Sequence, residues 1–76
     1  MSTEQKKLLY EIAKWRSDRF YNNMKDRWDS TNYAFDSKCN NKIDELEKQY
    51  EDLYGDLPEW RYIDDVWAAM EELKES

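Results

Sequence analysis

The sequence predicts an all-α fold: a small three-helix bundle, with helices over about residues 3–27, 31–54 and 57–75, in one domain, 1–76. Two observations carry this expectation. Apolar residues recur at steps of three and four along most of the chain, the period of a helix with one buried face. The only Gly and the only Pro both fall within residues 55–58, so strong punctuation occurs at one place. No alternating strand pattern and no internal repeat appears. Twelve aromatic residues argue for an ordered chain although 39% of it is charged, because disordered segments are poor in aromatics.

The first helix opens at Ser2 or Thr3, with Gln5 three residues after Ser2 in capping-box spacing. Leu8, Leu9, Ile12, Ala13, Trp15, Phe20, Met24 and Trp28 form its apolar stripe. Asp29-Ser30-Thr31-Asn32, four residues that favour caps and turns, is the expected connection to the second helix, and Asn22-Asn23 is a weaker candidate break. The second helix carries Ile43, Leu46, Tyr50, Leu53 and Leu57 at heptad spacing, with Cys39 and Phe35 extending the stripe backwards. Gly55 suits the left-handed position past its end. Asp56 then suits an N-cap, Pro58 a first turn and Glu59 the third position of a capping box. The third helix repeats Trp60, Ile63, Trp67, Met70 and Leu73, beside Val66 and Ala69, with Asp64, Asp65, Glu71, Glu72 and Glu75 opposite.

An alternative has no break at residues 29–32. Positions 20, 24, 28, 31, 35, 39, 43, 46, 50 and 53 keep helical spacing through the polar run. A continuous helix of about fifty residues would be roughly 75 Å long and would bury its stripe as a long-helix hairpin in an antiparallel dimer.

Composition narrows function more than it names it. A 76-residue chain has a small core and depends on good packing or on a partner. Cys39 is the single cysteine, so no intrachain disulfide forms, and the usage fits a reducing, cytoplasmic setting. On the apolar stripe, Cys39 is expected as a core residue. The N-terminal residues lack the apolar run of a signal peptide, and no segment approaches a membrane span.

Histidine is absent, which removes the commonest general base and the His-activated nucleophiles. One Gly cannot build a phosphate loop. The adjacent carboxylates Asp44-Glu45, Asp64-Asp65 and Glu71-Glu72 diverge by about 100° on a helix. No enzyme activity, metal site or cofactor is expected.

Charge is divided along the chain. Residues 43–76 carry a net −9 and residues 1–42 a net +3, within a total of −6. The basic aromatic stretch from Lys14 to Trp28 could meet nucleic acid through Arg16, Arg19 and Arg27. Asp18 and Asp26 lie within it, and the acidic half repels phosphate, so direct nucleic-acid binding is not favoured.

The expected function is an acidic inhibitor or adaptor that engages a basic, nucleic-acid-binding surface of a protein partner, its carboxylates standing in for phosphates. Asp44, Glu47, Glu51, Asp64, Glu71 and Glu75 are the candidate acidic contacts, with Tyr54 and Tyr62 as anchors. These gross traits resemble those of small acidic helical proteins of viral or mobile-element origin that block nucleic-acid-handling enzymes, a likeness of kind that no motif carries. The alternative function is a self-associating structural protein, a homodimer in which the basic half of one chain meets the acidic half of another.

Overall fold

The structure, a computed structural model, describes residues 2–24 and 30–75, and the side chains of residues 2–24 and 34–74. It is a three-helix bundle: α1 Thr3–Met24, α2 Ser30–Tyr54 and α3 Ile63–Glu75. No strand occurs among the described residues.

Ser2 caps α1. Its hydroxyl accepts the backbone N–H of Gln5 at 3.1 Å, and its carbonyl accepts that of Lys6 at 3.0 Å. Residues 25–27, expected at the helix end, lie outside the described residues, as do Trp28 and Asp29. Ser30, Thr31 and Asn32 are not a connection; they form the first turn of α2. The first turn tolerates these residue types because its N–H groups have no helical partner to lose.

α1 and α2 fold back on each other. Gln5 donates to the Tyr50 hydroxyl at 2.9 Å, Arg16 meets Glu47, and Arg19 donates to Asn40 at 2.7 Å, an antiparallel register. One unbroken helix through both segments therefore does not occur.

The third helix begins later than its local signals indicate. Gly55 takes φ 98°, the left-handed conformation that ends α2, and its N–H returns to the Glu51 carbonyl at 3.1 Å. Residues 55–62 are then non-helical, and α3 starts at Ile63, not at residue 57. Its cap is Asp65, whose Oδ2 accepts the backbone N–H groups of Arg61 and Tyr62, each at 3.2 Å. Asp64 and Asp65 also place negative charge at the positive end of the helix.

Length explains the delay. Trp67 of α3 lies against Ser17, Phe20 and Tyr21 of α1, whereas Leu73 packs at the level of Leu8, Leu9 and Ile12. α3 thus runs antiparallel to α1 and parallel to α2. The end of α2 is level with Gln5, so the chain must travel about 30 Å along α1 between Tyr54 and Ile63. Nine extended steps at ~3.3 Å cover that distance, while nine helical steps cover about 14 Å. Pro58, with no N–H to leave unpaired and an extended preference at the residue before it, suits such a strap.

α1 packs against both other helices, whereas α2 and α3 do not approach each other closely among the described residues. The core is Leu8, Leu9, Ile12 and Ala13 of α1, Cys39, Ile43, Leu46 and Tyr50 of α2, and Val66 of α3. Leu57 and Trp60 of the strap pack onto it beside Trp15 and Leu73. The expected seam of α2 ends at Tyr50: Leu53 is 62% exposed. Ser17 is the one buried polar residue among those described, and it accepts the indole N–H of Trp67 at 3.0 Å.

Ile12, fully buried at the centre of α1, tests this arrangement. Ile12→Ala should destabilise the fold by about 2–5 kcal/mol in urea unfolding followed by circular dichroism. Leu53→Ala should change stability by less than about 0.5 kcal/mol.

Candidate protein-binding face

Two guanidinium groups of the basic aromatic helix are engaged by other parts of the bundle. Arg16 Nε donates to Glu47 Oε1 at 3.1 Å, and its Nη2 donates to the same oxygen. The Arg16 guanidinium also lies 5.6 Å from the Trp60 ring centre, so one side chain ties α1, α2 and the strap. Arg19 donates to Asn40 Oδ1, and Asn40 donates to Asp36 Oδ2 at 3.2 Å. Arg16 and Arg19 are therefore both engaged by acceptors of α2 while remaining half-buried, and Arg27 lies outside the described residues.

The candidate contacts separate into three groups. Glu47 is half-buried against Arg16, and Tyr54 is half-buried against Tyr50, with ring centres 5.2 Å apart. Both serve the interior. Asp44 and Glu51 are exposed on α2. Asp64 and Glu71 are exposed on α3, and Tyr62 before it is 73% exposed. Glu75 ends α3, and its side chain lies outside the described residues. Because α1 separates the other helices, the acids do not form a hairpin of α2 and α3; they stand on two flanks of the bundle.

On the α3 flank the fold adds two aromatics, Tyr21 and Trp67, to the candidate contacts. Tyr21 stacks on Trp67 with ring centres 5.7 Å apart and planes at 27°. Phe20 backs Trp67 edge-on at 5.7 Å and 88°. Tyr21 is 52% exposed, and Met24 beyond it is 67% exposed. Asp64, Trp67 and Glu71 fall at i, i+3 and i+7 and share one face of α3. Neither carboxylate is held by an ion pair or hydrogen bond among the described residues. The result is an aromatic pair, Tyr21 exposed and Trp67 half-buried beneath it, beside two free acids. The spacing 64–67–71 was present in the sequence, but Tyr21 joins it only through the antiparallel α1–α3 seam.

A second surface adjoins the first. Lys6, Lys7 and Lys14 of α1, Lys42 of α2 and Lys74 of α3 line a groove whose apolar lining is Tyr10, Trp15 and Leu73. Glu11 and Asp18 also line it, leaving a net charge of +3. The sequence-level charge split did not reveal it, because the five lysines come from three separated segments.

Cys39 is fully buried, as expected of its place on the stripe. Burial pushes its thiol pKa up, and the nearby Asp18 and Asp36 carboxylates push in the same direction. Among the described residues no group of three or more Cys, Asp or Glu converges to hold a metal ion. No helix among them is long and apolar enough to cross a membrane. Comparison with family models, with curated proteins and with solved structures returns no match.

A buried thiol with a raised pKa is a poor nucleophile. Iodoacetamide at pH 8 should alkylate native Cys39 at least tenfold more slowly than the urea-unfolded chain, read by mass spectrometry.

Proposed function

We propose that this chain is a small acidic protein-binding protein, an inhibitor or adaptor, that engages a basic, nucleic-acid-binding surface of a partner protein through the outward face of α3. The observation that supports this most is the stacked Tyr21–Trp67 pair, its Tyr21 ring exposed, beside the free carboxylates of Asp64 and Glu71. An arginine of the partner can stack its guanidinium on the Tyr21 ring while its N–H groups meet a carboxylate. Asp64 and Glu71 stand about 10 Å apart along the helix, so two basic side chains can be held at once. Acids on a rigid helix replace phosphate oxygens, and complementary potential steers the encounter. The rings supply rigid apolar area of the kind that anchors interfaces. Glu47 and Tyr54 leave the expected contact set because they are engaged internally. Asp64, Glu71 and Tyr62 remain in it, and Tyr21 and Trp67 join it.

Affinity capture from lysate with quantitative mass spectrometry tests the reading. The wild-type chain should enrich basic nucleic-acid-binding proteins. Asp64→Lys/Glu71→Lys should reduce that enrichment at least tenfold, and Tyr21→Ala should weaken it. Asp44→Lys/Glu51→Lys on α2 should leave it unchanged. Equal capture by wild type and the α3 variant would sink the proposal.

Glu47→Gln separates structure from recognition. It should lower stability by about 1–3 kcal/mol, as loss of a half-buried charged hydrogen bond does, while capture is retained.

A further inference from the structure

The lysine-lined groove has no role in the function proposed above, and its chemical complement is on the same chain. Tyr10, Lys14 and Tyr21 lie on one face of α1, at i, i+4 and i+11, and Trp67 and Lys74 lie on one face of α3, at i and i+7. The groove and the aromatic pair are therefore two ends of one continuous face along the α1–α3 seam. One end is basic with an apolar lining; the other presents Tyr21, Trp67 and Asp64, with Glu71 between the two.

We infer that this face is the interface of a two-fold symmetric dimer, in which the acidic stretch of each copy, Asp64 to Glu71 with its Tyr21–Trp67 pair, seats in the groove of the other. The inference rests on the same reading of the α3 face as a docking surface. A two-fold axis between the two ends lays acid on base twice, which closes the assembly at two copies. In the groove, Lys7 and Lys14 meet carboxylates while Tyr10 and Trp15 meet rings.

Nucleic acid fits the groove less well: Glu11 and Asp18 line it, acidic flanks stand on both sides, and an extended polyanion would meet them. The dimer occludes the α3 face, so a second copy and a basic partner compete for it.

Light scattering at about 50 and 500 mM salt, where the screening length is roughly 14 and 4 Å, provides the test. Wild type should show twice the 9.4 kDa chain mass at low salt and a smaller mass at high salt. Lys7→Glu/Lys14→Glu makes both ends acidic, and Asp64→Lys/Glu71→Lys makes both ends basic. Each variant alone should be monomeric with unchanged circular dichroism. Mixed in equal amounts they should recover the dimer mass, because each then supplies what the other lacks. A wild-type chain that stays at 9.4 kDa in low salt overturns the inference, and so does a mixture that stays monomeric. Binding of a thymidine 20-mer by a monomeric wild type, lost in Lys7→Glu/Lys14→Glu, would instead assign the groove to nucleic acid. The lysine variant keeps the α3 face, so partner capture by that monomer reports on the proposed function separately from the dimer.

Discussion

The length of the connection between α2 and α3 decides most of this architecture. Nine residue steps must span about 30 Å, so the strap is extended and cannot contribute to α3. With the strap extended, α3 returns to the far end of α1 and runs antiparallel to it. α1 thereby becomes the central helix, and the acidic second half of the chain is divided between two flanks. Had residues 57–62 been helical, α3 would have continued from the end of α2 as its antiparallel partner. The carboxylates of both helices would then have crowded one side of the bundle.

Arg16 holds that arrangement together electrostatically. It receives Glu47 from α2 on its N–H groups and lies near Trp60 from the strap. One base of the first helix neutralises one acid of the second, and the strap ring lies beside the guanidinium. Among the described residues, Asp64, Glu71 and Glu72 of α3 have no such partner. The lysines of the α1 groove have none among them either, so charge of both signs is left along one face.

Local chemistry was legible in the sequence; placement across the bundle was not. Ser2 with Gln5, Gly55 after α2, and the buried Ile43, Leu46 and Tyr50 all follow from residue type and helical period, and the structure has them as expected. Asp56, Pro58 and Glu59 satisfy the pattern of a helix start equally well, yet no helix starts there, because a distance set by other segments overrides the pattern. Tyr62 is not a capping residue by type, and the cap comes instead from Asp65 reaching backwards. Glu47 and Glu51 look alike in sequence. Only the register of α1 on α2 puts Arg16 beside Glu47 and leaves Glu51 in water. Tyr21 and Trp67, far apart in the chain, become a recognition feature through one interhelical seam.

That seam has a thermodynamic consequence for the face it creates. A thirteen-residue helix is too short to persist alone in water, so α3 is helical only while it lies on α1. The indole–hydroxyl bond between Trp67 and Ser17 and the burial of Val66 anchor it there. Release of Trp67 from Ser17 dissolves the spacing of Asp64 and Glu71 together with the aromatic pair. Recognition at this face and local folding of α3 are one coupled equilibrium. Any ligand that grips the ordered face raises the opening free energy of the helix by RT times the logarithm of one plus its concentration over its Kd, while the α1–α2 pair is left unchanged.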